Sequence, residues 1–306
     1  MKELRHLINI TDLSVDEINH LVEVAEDIID NPEVYQDICA HKKLATLFFE
    51  PSTRTRLSFT AAMMELGGNV LGFDQAASSS TAKGESVSDT IVMASCYADI
   101  IAMRHPKEGA PFVAAGHAGV PIINAGDGGH FHPTQTLTDI LTMHKKFGKL
   151  EDLTIGLCGD LKFGRTVHSL IEAMIRYANV SFVMISPEEL NLPDYIKESL
   201  DEAGVEWKEM RSLDDAIPEL DVLYMTRVQK ERFFNEEDYI RLKDSFILRR
   251  KMLEPAKEDM VVMHPLPRVN EISVDVDDDP RAAYFYQALM GKYIRMALIL
   301  FMLGMK

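Results

Sequence analysis

Five polar residues in a row, Ser52, Thr53, Arg54, Thr55 and Arg56, follow an apolar run and a Glu50-Pro51 break. Behind them Phe59, Ala62, Met63 and Leu66 repeat at helical spacing, and Gly67-Gly68 closes the pattern. The first turn of a helix has unpaired N–H groups and a partial positive charge, so it welcomes an anion. Two hydroxyls and two guanidiniums add donors that fork onto phosphate oxygens. The pattern reads either as a capped helix with two solvated arginines or, more specifically, as a phosphate cradle, of a kind distinct from the Gly-rich P-loop, whose glycine and lysine are missing from the required places.

Other residues with chemistry are scattered but not random. Arg104 follows an apolar run, His132 precedes Pro133 and a helical pattern carrying Gln135, and Arg165 follows a glycine-bearing turn. Arg227 and Gln229 sit together, and Pro265 and Leu266 follow His264. Ser79 and Lys83 lie in a Ser/Ala-rich stretch, residues 74–84, without apolar periodicity. Such a stretch is either a connector or a mobile loop that delivers catalytic groups. His132 alone would read as a cap or surface residue, and its neighbours give it weight.

The elements that must position these groups are short apolar runs alternating with helical patterns. Strands are expected over residues 44–49, 70–73, 100–103, 120–123, 154–158, 181–185, 221–225 and 261–263. Ser14-x-x-Glu17 is a capping box that opens the first helix. Residues 124–131 read as a glycine-rich turn, and the acidic run 275–279 as a solvated loop lacking the glycine and distal glutamate of an EF-hand. The final helix is expected from about residue 281, its apolar end buried. This alternation predicts an α/β fold of two doubly wound parallel-sheet domains. In such sheets ligands bind outside the carboxyl ends of the strands. The polar residues named above all follow strands. Two such edges would make an interdomain cleft lined by five arginines, a histidine and a glutamine, suited to a phosphate and carboxylates.

Composition narrows the class. The 306 residues are 46% hydrophobic and 26% charged, with a net charge of −16, which argues against nucleic acid as a partner. In so acidic a chain, gathered arginines point to an anion. Cys39, Cys96 and Cys158 lack the paired spacing of zinc or disulfide frameworks, and a reduced, cytoplasmic setting is expected, with no membrane segment. The turn at Gly159–Gly164 lacks the G-x-G-x-x-G spacing, and residue 186 is a serine where a ribose-binding acid would follow the next strand. No metal-ligand cluster, nucleophilic triad or catalytic carboxylate pair is apparent, so no metal or cofactor is expected. The chemistry must run on positioning and charge stabilisation.

Taken together, the motifs Phe49–Arg56, Lys83-Gly84-Glu85-Ser86 and Met103-Arg104-His105-Pro106 carry a specific resemblance. So do His132–Thr136, Gly159–Lys162 with Arg165–His168, Met225–Gln229 and His264–Arg268. In that order, over essentially the full length, they resemble the aspartate branch of the aspartate/ornithine carbamoyltransferase family. The resemblance implies transfer of the carbamoyl group of carbamoyl phosphate to L-aspartate, in pyrimidine synthesis, without metal or organic cofactor. It implies that Ser52, Thr53, Arg54 and Thr55 hold the phosphate, with Thr55, Arg104 and His132 donating to the carbamoyl oxygen. Gln135 and the carbonyls of Pro265 and Leu266 would orient the carbamoyl nitrogen. Arg165, Arg227 and Gln229 would hold the carboxylates of aspartate. Ser79 and Lys83 would reach in from a neighbouring copy of a homotrimer, and a zinc-bearing regulatory chain is a possible partner. The implied domains are residues 1–133, completed by residues 289–306, for carbamoyl phosphate, and 134–288 for aspartate. An ornithine-specific sibling would meet arginine where its cationic side chain should sit, the wrong sign. A non-catalytic anion-binding protein would have no use for Lys83 and His132 beside the arginines.

Overall fold

The computed structural model describes residues 4–78, 80–229 and 235–306. Two compact units emerge: Met1–Leu141 with Leu289–Lys306, and Thr142–Ala288. In the first, β1 (Lys43–Phe48), β2 (Asn69–Phe73), β3 (Ile100–His105) and β4 (Ile122–Asp127) form a parallel sheet in the order β2-β1-β3-β4. Its helices are α1 (Val15–Asp30), α2 (Thr53–Glu65), α3 (Val87–Ser95), α4 (Ala110–Ala115) and most of α5 (Pro133–Phe147). The α1 capping box forms as expected, Glu17 N–H donating to Ser14 Oγ and Ser14 N–H to Glu17 Oε2. Ala45, Leu47, Met103 and Ile122 alternate onto one sheet face and pack with Ile91 of α3 and Ala114 of α4.

In the second unit, β5 (Thr154–Cys158), β6 (Ser181–Ile185), β7 (Trp207–Met210), β8 (Val222–Met225) and β9 (Val261–Met263) are again all parallel, ordered β7-β6-β5-β8-β9. Its helices include α6 (Arg165–Met174), α7 (Asp194–Glu202), α8 (Leu213–Ala216) and α9 (Glu236–Leu242). The last helix, α10 (Tyr284–Met302), belongs to the first unit from Leu289 onward. There it packs on α2 through Lys292–Glu65 (2.7 Å) and Arg295 Nη1 to Ser58 Oγ (3.0 Å). It meets α5 where Gly291 lies against Thr138, and α1 where Phe301 faces His20. The doubly wound α/β reading therefore holds, with the C-terminal helix returning to the first unit.

Three local expectations are corrected. Strand β7 was not foreseen, because Trp207–Met210 is an edge strand with exposed Lys208 and Glu209 and too little apolar signal. Strand β4 runs on through Asp127, so half of the supposed turn is buried strand. The acidic run is not simply solvated: Asp277 pairs with Arg268, and Asp279 holds Arg281 at 2.8 Å. No helix among the described residues is long and apolar enough to cross a membrane.

Strand order decides where ligands can go. In the first sheet the chain winds outward from β1 to β2 and then back across to β3, so β1 and β3 flank the switch point. In the second, β5 and β8 do. A crevice opens outside the carboxyl ends of the strands at such a point. Those ends lead into Ser52–Arg56 and Arg104 in one unit, and into Asp160–Arg165 and Thr226–Gln229 in the other.

Candidate active site: two polar edges

At the first edge, β1 hands the chain to α2 through Phe49, whose N–H donates to the Arg104 carbonyl at 2.8 Å. Ser52 is the N-cap of α2, yet its hydroxyl does not cap the helix. It donates to Thr55 Oγ1 at 3.1 Å instead. No acid sits in the first turn, so side chains leave the turn's N–H groups and its positive end for a ligand. Thr53 and Arg54 are exposed, Ser52 half-buried and Thr55 buried. Arg56 turns aside toward Asp74, 4.0 Å away.

Arg104, on the penultimate residue of β3, is 9% exposed. Its Nη2 lies 2.8 Å from Glu50 Oε2, while the buried Nε has no hydrogen-bond partner. Burial pulls the guanidinium below its ordinary pKa, opposed by the charge and hydrogen bond of Glu50. Beside it is His132, 6% exposed, just ahead of α5. Gly126 sets the pair together. A Cβ built there would lie 2.8 Å from Arg104 Nη1 and 3.3 Å from the His132 ring, and the φ of +116° already excludes most side chains. The Gly126 N–H is held by Asn124 Oδ1 at 2.8 Å, and Asn124 in turn donates to Asp127 Oδ1 at 2.9 Å. In the first turn of α5, Gln135 Nε2 donates to the buried Asp139 carboxylate at 2.7 Å. That bond fixes the amide with Oε1 in the acceptor position. Lys83 ends a short 3-10 turn with its side chain exposed, and Ser79 lies outside the described residues.

The second edge is built around Asp160. Its Oδ1 accepts from Phe163 N–H at 3.0 Å and its Oδ2 from Gln229 N–H at 3.4 Å. Gln229 Nε2 also reaches the Phe163 carbonyl at 3.1 Å, and Arg165 N–H bonds the same carbonyl at 3.0 Å. One five-residue turn thus sets both Arg165 and Gln229. Burial pushes the Asp160 carboxyl up, against the backbone donors and the Arg227 charge that favour its ionised form. Gly159 permits the approach of the two strand ends: a Cβ at this residue, φ +116°, would meet the Thr226 carbonyl at 2.4 Å. Arg165, Arg227 and Gln229 are half-buried.

After β9, Leu266 adopts a left-handed conformation, φ +56°, followed by a cis bond to Pro267. Leu266 N–H donates to His264 Nδ1 at 2.8 Å, and His264 Nε2 donates to Glu271 Oε1 at 2.7 Å. The second oxygen of Glu271 accepts the N–H groups of Val269 and Asn270, each at 3.0 Å. A buried dyad thereby shapes the loop carrying Pro265 and Leu266.

Reading along the chain missed Glu50, Gly126, Asp160 and Glu271 as functional positions. Glu50 looked like a strand breaker, and Gly126 was one glycine among several. Asp160 lies inside the Gly159–Lys162 motif without a role assigned to it, and nothing in sequence distinguishes the buried Glu271 from a surface acid.

The likeness to known proteins follows the same division. Residues 5–145 match the family model of the aspartate/ornithine carbamoyltransferase carbamoyl-P binding domain. Residues 151–302 match that of the aspartate/ornithine carbamoyltransferase Asp/Orn binding domain. The chain is 64% identical over 302 residues to the aspartate carbamoyltransferase catalytic subunit of Lachnoclostridium phytofermentans, covering 98% of each. It superposes on the catalytic subunit of M. jannaschii aspartate transcarbamoylase with a TM-score of 0.90 at 46% identity, covering 97% of each. The Trypanosoma cruzi aspartate transcarbamoylase solved with carbamoyl phosphate and aspartate gives a TM-score of 0.90 at 37% identity, over 96% of this chain and 95% of that one. With both units matched in order and full-length relatives well above half identical, the chain belongs to the aspartate/ornithine carbamoyltransferase family.

Proposed function

We propose that the two polar edges divide one reaction between them, the first holding carbamoyl phosphate and the second L-aspartate. The chain transfers the carbamoyl group of carbamoyl phosphate to the amine of L-aspartate, giving N-carbamoyl-L-aspartate and phosphate. Ser52, Thr53, Arg54 and Thr55 hold the phosphate at the mouth of α2. The aspartate amine attacks the carbamoyl carbon, and negative charge grows on the carbamoyl oxygen. Thr55, Arg104 and His132 donate to that oxygen, each such donor being worth about 3–4 kcal/mol of barrier. The bond from carbon to the phosphate oxygen then breaks, phosphate leaves with the electron pair, and it takes up the proton that the amine gives up. Gln135 Oε1 and the Pro265 and Leu266 carbonyls accept from the carbamoyl NH2. Arg165, Arg227 and Gln229 fork onto the two carboxylates of aspartate.

The observation that carries this reading is the placement of two buried nitrogen donors, Arg104 near the end of β3 and His132 ahead of α5, around Gly126 of β4, with β3 paired to the strand β1 that leads into the open α2 terminus. Charge there is desolvated and fixed in advance, as stabilisation of a developing oxyanion requires. The test is product formation from carbamoyl phosphate with L-aspartate and, separately, L-ornithine. Carbamoyl-aspartate alone is expected, and citrulline would overturn the roles given to Arg165, Arg227 and Gln229.

Assembly belongs to the same reading. The chain works as a homotrimer in which Lys83 and Ser79 complete a neighbouring copy's site. Support comes from exposed apolar side chains of the first unit, Leu57 and Met64 on α2, Met93 on α3, and Phe112 and Val113 on α4. Mixing inactive Lys83→Ala with inactive His132→Ala chains under subunit exchange should then restore activity, since some hybrid sites carry both native groups. Silence after proven exchange would place each site within one chain. The relatives are called catalytic subunits, and a zinc-bearing regulatory chain is proposed as a further partner.

A further inference from the structure

His264 and Glu271 are 2% and 4% exposed and titratable, and neither is assigned above to either substrate. What they do is visible in their hydrogen bonds. The Leu266 N–H points at His264 Nδ1, so that nitrogen carries a lone pair and the ring proton sits on Nε2. The Nε2 proton is given to Glu271, whose other oxygen already accepts two backbone N–H groups from the far side of the loop. A carboxylate with no proton to give leaves the imidazole one arrangement only. Burial also holds His264 below its ordinary pKa, which favours the neutral ring this arrangement needs.

We propose that Glu271 and His264 are positioning residues for the carbamoyl group: Glu271 sets the His264 tautomer, His264 Nδ1 pins the Leu266 peptide, and the pinned loop aims the Pro265 and Leu266 carbonyls. This rests on the reading that those carbonyls accept from the carbamoyl NH2. A left-handed conformation is strained for leucine, and a buried acceptor for its N–H helps to hold it there. The dyad thus does for a carbonyl what a carboxylate does for a metal-bound histidine, orienting a group that touches the ligand while remaining one residue removed from it.

Three substitutions separate the links. Glu271→Gln is isosteric, but its amide NH2 opposes either His264 Nε2–H or the two backbone donors. His264→Gln keeps a donor where Nε2 stood and loses the acceptor for Leu266. His264→Asn places a carbonyl oxygen near the Nδ1 position and so restores that acceptor. The readout compares dissociation constants for carbamoyl phosphate and acetyl phosphate, which carries CH3 in place of NH2 and cannot donate. Thermal unfolding and nitrogen NMR of the His264 ring are measured alongside. In Glu271→Gln and His264→Gln, carbamoyl phosphate should bind about tenfold more weakly, the loss of one well-placed hydrogen bond. Acetyl phosphate should bind as before, and His264→Asn should recover much of the difference. The native ring should show a protonated Nε2 and a bare Nδ1. Equal weakening of both ligands, or no weakening of either, would overturn the proposal. A native protein that does not prefer carbamoyl over acetyl phosphate would instead remove the underlying reading of the carbonyls.

Discussion

The two edges proposed to hold anions are built in opposite ways. On the first, the two donors proposed for the carbamoyl oxygen are buried while Arg54 stays exposed: Arg104 is packed against Glu50 and meets His132 over a glycine that leaves no slack. On the second, the buried charge is Asp160, which touches backbone, while Arg165, Arg227 and Gln229 are half-exposed around it. The difference follows what each must do. A donor that stabilises charge appearing during reaction must be desolvated and oriented beforehand. A residue that binds a carboxylate already charged in water needs reach and a forked geometry, and gains less from burial. Rigid side chains therefore mark the edge assigned to chemistry, and a rigid backbone turn marks the edge assigned to binding.

The largest test of this contrast is Gly126→Ala. The new methyl would overlap Arg104 Nη1 and crowd His132, so saturated turnover should fall by about 10²–10³, the cost of displacing an oxyanion donor, while the unit stays folded. Turnover within a few-fold of normal would mean that the pair is not catalytic. Arg54→Ala should lower turnover at least about a hundredfold by removing a forked phosphate donor, and a near-normal rate would dismiss its phosphate role. On the other edge, Arg227→Ala should act mainly on the KM for aspartate, raising it roughly 10- to 100-fold with a smaller change in kcat, as expected for loss of ground-state binding. An unchanged aspartate dependence would take Arg227 out of the carboxylate site.

The smallest expected effect concerns pH and stability. His6 and His105 in the first unit, and His168 and His264 in the second, are all held below the ordinary histidine pKa, chiefly by burial. Each accepts a hydrogen bond at Nδ1, from Ile122 N–H, Lys107 N–H, Tyr195 OH and Leu266 N–H respectively. The unfolded chain takes up protons near pH 6.5 while the folded chain does not, so stability should fall as pH drops below about 6.5. Urea midpoints at pH 7.5 and 5.5 should show a modest decrease. Hydrogen exchange should place the acid-induced loss of protection around these four acceptors, and midpoints that rise on acidification would reverse the sign.

Much of this was legible in the chain. The polar run at the start of α2, proposed as a phosphate cradle, stood out because a polar run between a strand pattern and a helix pattern is local information. Strand positions were visible wherever the strand is central and apolar on both faces, as in β1, β3 and β5. Strand β7 escaped because an edge strand can be charged. The supposed turn at 124–131 was misjudged because Asn124 and Asp127 are polar yet buried, their hydrogen bonds satisfied by Ile8, Gly126 and Phe131. Burial of a polar group depends on partners far away in the chain, and no local pattern announces them.

The sequence by itself determined the fold class and marked out the polar helix mouth proposed for phosphate and the arginines proposed for carboxylates, because periodicity, capping and donor chemistry are properties of neighbours. Only the tertiary structure decided that β1 and β3 flank one crevice and β5 and β8 the other, since strand order is not written in any single segment. It alone decided that Gly126 joins Arg104 to His132, that Asp160 organises the second edge, and that Glu271 speaks to Leu266 through His264. Each of these is a contact between residues distant in sequence or a choice of which acid is buried, and both are settled by packing.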